Sequence, residues 1–397
     1  MKEKKEITCV IIGGGYAGIN ALKTIRKTLQ PELGAGKLRL ILIDKQPYHL
    51  RKVLLFKPAV NDDNIVVPFG SLFPDGVEFI QGMVMTIEKR DKRLLYQDES
   101  GQEQHLKYDI LILAAGSVIR QPDADQGGIA LTGLASAAHI RELWHENLRK
   151  AVKETSRAER QRWMTVAVAG AGISGIESSA ELVYALRKEA SALGLDPSEV
   201  ILYLLNAQDR LFQEGPAKVG MKLERLLKGS GVTVLHGRKA IREREGDLLL
   251  SDGEILKVGL CIWTLGLLPN PMLRSMGLPL TAHGRVIVDA NYRVKEAPGI
   301  YSIGDCAQIV DPVSGLTDGM TCKEATAQAD RLGKVITADV MGHSAPVHKS
   351  YIDFFCFGLG PERGMVWTRQ WGLDIVITGK LGWKVRKMTW DYASLIK

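Results

Sequence analysis

Two glycine-rich turns, 157 residues apart, constrain this chain more than any other feature. The apolar run Ile7 to Ile12 leads into Gly13-Gly14-Gly15-Tyr16-Ala17-Gly18 and then a helical pattern from Ile19 to about Leu29. Much later, Val166 to Ala169 leads into Gly170-Ala171-Gly172-Ile173-Ser174-Gly175, a helix from Ile176 to about Ala190, and a strand from Val200 to Leu205. Continuous apolar runs of this length suit strands buried on both faces. A strand, a glycine turn and a helix, repeated at domain scale, predict an α/β chain with two Rossmann-like βαβ units. In each, the first glycine makes the tight turn, the second lets the backbone approach a pyrophosphate, and the third lets helix pack on strand. The helix N-terminus then offers its unpaired N–H groups to the phosphates. Gly13, Gly14, Gly15, Ala17 and Gly18 form the first candidate cofactor cradle. Gly170, Gly172, Ile173, Ser174 and Gly175 form the second.

The next strand of such a unit usually ends in an acidic residue that binds a ribose. In the first unit this is Asp44, about 26 residues past Gly18, the extra length being assigned to an inserted loop from Pro31 to Lys37. In the second unit the position holds Asn206, which can hydrogen-bond a ribose but brings no charge. This leaves NADH against NADPH open. Arg210 lies close in sequence, but a surface role suits it better.

Composition removes several classes. The chain has 397 residues, 45% hydrophobic and 24% charged, as expected of a globular protein with a full core. No apolar run reaches the ~18 residues of a membrane span. The charged start, Met1 to Glu6, is unlike a signal peptide. Cys9, Cys261, Cys306, Cys322 and Cys356 are scattered without a C-x-x-C, which argues against a disulfide framework or metal site and for a reduced, cytoplasmic compartment. The net charge of +7 is too mixed to indicate nucleic acid. It is uneven, however: Val347 to Lys397 holds eight basic and four acidic residues.

Five motifs in order resemble the two-dinucleotide-binding-domain flavoproteins of the pyridine nucleotide-disulfide oxidoreductase superfamily. They are the first turn with Asp44, AAGS at Ala114 to Ser117, the second turn, WTLGLLPN at Trp263 to Asn270, and YSIGDCA at Tyr301 to Ala307. GGGYAG, DKQPYH at Asp44 to His49, and GISGIESSAEL at Gly172 to Leu182 are most similar to type II NADH dehydrogenases and their bacterial relatives. The resemblance implies an FAD-binding domain in two parts, 1–135 and 286–345, with an inserted NAD(P)H-binding domain at 136–285. A small aromatic and basic C-terminal region, 346–397, follows. It also implies FAD contacts by Lys45, Val84, Ala115, Gly116, Gly304 and Asp305, and nucleotide contacts by Gly266 and Asn206.

The implied activity is hydride transfer from NAD(P)H to FAD, then reduction of a quinone without proton pumping. Glu177 falls on the family's acidic position in the nicotinamide–flavin region; a solvated helix carboxylate like Glu181 is the plain alternative. The family's Ala-Gln pair beside flavin and quinone matches Ala327-Gln328 one residue out of register. Lys323 and Glu324 are alternatives there, or ordinary surface charges. Other readings are reduction of a disulfide, a sulfide–quinone couple or an electron-carrier protein, and a redox sensor or binding partner with little turnover. The segment from Asp44 to Pro58 lacks the C-x-x-x-x-C of disulfide reductases. Cys306 and Cys322 are the candidates to approach the cofactor and Cys356 is unplaced, but buried free cysteine acting as a small hydrophobe is the favoured reading. A homodimer is the family-based expectation.

The last segment, Leu381 to Lys397, is expected as an amphipathic helix. Leu381, Val385, Met388, Tyr392, Leu395 and Ile396 share one stripe, expected to pack on the protein's body. Trp383, Trp390, Lys380, Arg386, Lys387 and Lys397 lie opposite and are expected to face a membrane surface, a dimer partner or a neighbouring loop.

Overall fold

The computed structural model describes residues 6–34 and 36–396. Its larger sheet has the strand order Ile300–Ser302, Ile110–Leu113, Ile7–Ile12, Leu38–Asp44, Glu78–Glu88, Arg93–Asp98, Glu103–Lys107. The first five are parallel, and the last two complete an antiparallel meander. The run ITCVII is apolar throughout because both its faces are covered. Cys9 and Ile11 enter one core, with the helices Tyr16–Leu33 and Cys322–Met341, while Val10 and Ile12 enter the core on the opposite face.

Between residues 113 and 300 the chain leaves this sheet and builds a second one. Its order is Ile129–Ala130, Leu260–Trp263, Thr165–Ala169, Ile201–Asn206, Val232–His236, all parallel. The same alternation recurs there: Val166 and Val168 join one core, Ala167 and Ala169 the other. The fold is therefore α/β with two Rossmann-like sheets.

Two local expectations are corrected. The first fingerprint helix runs from Tyr16 to Leu33, so Pro31 to Leu33 belong to a helix and not to a loop. Pro31 sits in the last turn, and the helix stops at Gly34, which has φ +91° and donates its N–H to Gln30 O. The second correction concerns the tail. Strands Phe354–Gly358, Gly364–Gln370 and Leu373–Thr378 form an antiparallel sheet, and the terminal helix that follows spans Gly379–Ala393.

The terminal helix buries part of the face expected outward and exposes part of the stripe expected inward. Val385, Leu395 and Ile396 of that stripe are half-buried, and Lys380 and Lys387 are exposed as expected. Arg386 and Trp390 are buried and Trp383 is half-buried, while Leu381, Met388 and Tyr392 are exposed; Lys397 lies outside the described residues. The cause is a partner far away in sequence. Arg386 Nε and Nη2 donate to Glu177 Oε1 and Oε2 at 2.7 and 2.8 Å. The guanidinium also lies 5.0 Å from the centre of the Trp390 ring, which packs on Phe56. Gly364 and Gly382 let helix and strand touch, since a Cβ at Gly382 would sit 2.5 Å from Gly364 O.

Candidate dinucleotide sites

The two glycine turns are built alike. Gly13 N–H donates to Ile43 O at 2.8 Å, and Gly170 N–H donates to Leu205 O at 3.1 Å. Each first glycine lies against the end of the neighbouring strand, Ala114 O in one unit and Thr264 O in the other, both 2.4 Å from where a Cβ would be. A Cβ on Gly18 would lie 1.8 Å from Gly13 O, and one on Gly175 would lie 1.8 Å from Gly170 O. No side chain larger than hydrogen fits at either place.

The middle of each turn is open. Nothing lies within 4 Å of a Cβ built on Gly15 or Gly172. These residues are the N-caps of helices Tyr16–Leu33 and Ile173–Ala192, and neither helix has a side-chain cap. First-turn N–H groups left uncapped beside a backbone without side chains suit an anion such as a pyrophosphate.

The other motifs gather around the first turn. Asp44 accepts from Gly14 N at 2.6 Å and from Gln46 N at 2.9 Å; burial pushes its carboxyl up, opposed by these two bonds. Asp305 accepts from Ser117 Oγ at 2.6 Å, and burial raises it against that bond and the nearby Lys52. Lys52 donates to Ser117 O at 2.8 Å, and burial lowers its ammonium while Asp305 opposes the shift. Asn270, from the fourth motif, donates Nδ2 to Ala115 O and its own N–H to Gly116 O. Gly266 O accepts from Arg120 N in the adjoining loop. Ala17 lies close to Gly304, and Lys45 is exposed beside Asp44. Val84 is buried with Ile12 and Ile43, at a bulge in its strand. The residues that the motifs left out are Lys52 and Arg386, neither of which belongs to a recurring pattern.

Glu177, Lys323 and Gln328 are all tied to protein groups. Glu177 accepts from Arg386 and also from Gly358 N at 2.7 Å, and is 1% exposed. Glu181, expected in solvent, is buried too and pairs with Lys57 at 2.6 Å. Lys323 donates to Phe354 O at 2.6 Å and sits 3.8 Å from the Phe355 ring centre; burial lowers its ammonium. Gln328 is a brace: Oε1 accepts from Gly304 N at 2.8 Å and Nε2 donates to Asp318 Oδ2 at 2.8 Å. Thr321 caps this helix by accepting from Glu324 N–H, and the Glu324 carboxylate accepts from Thr321 Oγ1 and Gly319 N in return.

All five cysteines are free thiols. Burial pushes each up, Cys356 to about 12, so none is held as a thiolate. No group of three or more potential metal ligands occurs among the described residues.

Residues 7–329 match the family model described as pyridine nucleotide-disulphide oxidoreductase. The chain belongs to that family. It is 27% identical over 313 residues to a probable NADH dehydrogenase of Dictyostelium discoideum, covering 76% of this chain and 67% of the relative. It is also 27% identical over 371 residues to the type II NADH:quinone oxidoreductase NdhA of Mycobacterium tuberculosis, covering 87% and 74%. Its fold matches the structure of NDH2 from Plasmodium falciparum in complex with NADH, with a TM-score of 0.82 and 17% identity over 98% of this chain and 96% of that one.

Proposed function

We propose that this protein is an FAD-dependent NAD(P)H oxidoreductase that delivers electrons to a quinone. The observation that carries the reading is the duplicated turn: two uncapped helix N-termini, each behind a glycine turn whose first and last glycines leave no room for a Cβ. The relatives named as NADH dehydrogenases and NADH:quinone oxidoreductases support the assignment of the two ligands and of the acceptor. The first unit suits FAD. Gly13 to Gly18 would hold its pyrophosphate, Asp44 a ribose, and Asp305, with Lys52 and Ser117, the ribityl–phosphate region. The second unit, Gly170 to Gly175 with Asn206, would hold the nicotinamide dinucleotide.

When bound, the flavin supplies the hydride- and electron-accepting chemistry. The protein's share is positioning. Gln328 fixes the Gly304 N–H and with it the turn that carries Asp305. Glu177 is assigned as a fixed anion that holds Arg386 and Gly358 against the second fingerprint helix. Lys323 steadies the Phe354 strand. A disulfide or sulfide acceptor is less favoured, because four of the thiols are buried, Cys322 is half-buried, and all are raised. The expected result is near-stoichiometric flavin absorption in the purified protein, bleached by NAD(P)H without oxygen and restored by a soluble quinone. Flavin that no nicotinamide nucleotide bleaches would end the dehydrogenase reading and leave the sensor reading.

The acceptor's solubility bears on the tail. No described helix is long and apolar enough to cross a membrane. We place a peripheral membrane contact on the outer face of Gly379–Ala393, where Leu381, Met388 and Tyr392 are exposed beside exposed Lys380, Lys384 and Lys387. Apolar groups flanked by lysines suit an anionic headgroup layer. In sedimentation with anionic vesicles, Leu381→Ser/Met388→Ser should weaken binding by about tenfold, and Trp383→Ala should not. Unchanged sedimentation of the double variant would remove the contact. A homodimer is proposed on family grounds and is read by sedimentation velocity.

A further inference from the structure

The second unit differs from the first at the end of its second strand. In a βαβ dinucleotide unit that end meets the adenosine ribose, where a carboxylate selects NADH and a nearby arginine accommodates a 2′-phosphate. Asp44 reaches back to Gly14 N in the first unit, but Asn206 engages its own surroundings. Asn206 Oδ1 accepts from Gln208 N at 3.2 Å, and Nδ2 donates to His236 Nδ1 at 2.9 Å. His236 stands opposite Asn206 in the register of the neighbouring strand, and its Nε2 lies 3.1 Å from Glu224.

An arginine is anchored by its backbone at the same place, with its guanidinium one side-chain length away. Arg238 N–H donates to Asn206 O at 3.1 Å, and its side chain is shared between Asp252 at 3.0 Å and Glu254 at 2.7 Å. All three side chains are a third or more exposed, so these pairs are weak and exchange readily. Arg210 cannot serve in its place, because its guanidinium donates to the carbonyls of Leu211, Phe212 and Gln213.

Resting on the nicotinamide-dinucleotide reading of the second unit, we propose that this site accepts NADPH as well as NADH. Asn206 admits the 2′-phosphate by carrying no charge, and Arg238 meets it by exchanging its surface carboxylates for the stronger, doubly charged partner. With NADH bound, Arg238 keeps Asp252 and Glu254, and Asn206 bonds the ribose hydroxyls.

The test uses the flavin-loaded protein. Anaerobic flavin reduction by NADH and NADPH is measured alongside calorimetric dissociation constants for NAD⁺ and NADP⁺. Wild type should show kcat/KM for the two donors within about tenfold of each other. Asn206→Asp should raise the ratio of the NADP⁺ to the NAD⁺ dissociation constant by about tenfold or more through like-charge repulsion. Arg238→Gln should weaken NADP⁺ alone, with the flavin spectrum unchanged. A wild-type preference for NADH above about a hundredfold, or an Asn206→Asp variant with an unaltered ratio, would overturn the proposal. Failure of both nucleotides to bind or to bleach the flavin would instead overturn the nucleotide reading beneath it, a result distinct from a changed ratio.

Discussion

Replacing Arg386 by Met will free the terminal helix. The substitution leaves Glu177, 1% exposed, without its bidentate partner and, among the described residues, with Gly358 N–H as its one remaining hydrogen-bond donor. Removing one member of a buried ion pair costs about 3–5 kcal/mol, because the other charge stays buried and uncompensated. The cheapest relief is local: the helix Gly379–Ala393 lifts and water reaches Glu177. Local opening of this kind is read by amide hydrogen exchange. Amides of that helix should exchange roughly two to three orders of magnitude faster, since every 1.4 kcal/mol is about tenfold.

A second variant separates the charge from the packing. Glu177→Gln with Arg386→Met removes both charges, so exchange in the helix should return most of the way to wild type. If the single variant exchanges like wild type, the pair does not hold the helix. If the double variant is as loose as the single one, the lost contact is packing against Trp390, which lies under the guanidinium.

The terminal helix also shows where the sequence stops being informative. Its period-3.6 pattern is visible, and so is the basic excess in the tail. Which side faces inward is not, because Leu381, Met388 and Tyr392 make one apolar stripe and Trp390 with the Arg386 stem makes another. The choice is set by Glu177, 209 residues away. A buried carboxylate selects the face that brings an arginine, and no local rule of helix periodicity contains that partner. Lys52 escaped for the same reason: its ammonium finds Ser117 O and Asp305 only after the strand Ile110–Leu113 is laid beside Ile7–Ile12.

The glycine turns are the opposite case. Their requirement is written in backbone atoms within a few residues: a Cβ on Gly18 meets Gly13 O, five residues earlier. Strand, turn and helix are likewise local, and the uninterrupted apolar runs state that both sheet faces are covered. The fold class and the two glycine turns were therefore legible. The contacts of Glu177, Lys323 and Gln328 were not, since each is made with atoms from distant segments: Arg386 and Gly358, Phe354, and Gly304 with Asp318.

That locality supports the sharpest separation of the two sites. Gly18→Ala and Gly175→Ala are chemically the same change, and each places a Cβ 1.8 Å from a backbone oxygen, nearly half the normal contact distance. Neither carbonyl can retreat easily. Gly13 N–H is bonded to Ile43, Gly170 N–H to Leu205, and Gly170 O also accepts from Thr264 Oγ1 at 2.8 Å. Overpacking against a fixed backbone typically costs about 1–3 kcal/mol or more, and here it is relieved by sliding the helix along its sheet. The slide carries the first-turn N–H groups away from the phosphates they would hold.

The damage should stay in its own unit, because the first helix packs in the core shared with Cys322–Met341 and the second in the core shared with the terminal sheet. Gly18→Ala is expected to purify with little or no flavin absorption. Gly175→Ala is expected to keep its flavin and respond normally to a chemical reductant, but to need at least about a hundredfold more NADH for half-bleaching, the loss of close to 3 kcal/mol of binding. Flavin retained in full by Gly18→Ala would mean that the first cradle is not the flavin site. Flavin lost in both would mean that the two units fold and bind as one. A Gly175→Ala protein still bleached at wild-type NADH concentrations would remove the second cradle from the path of the hydride altogether.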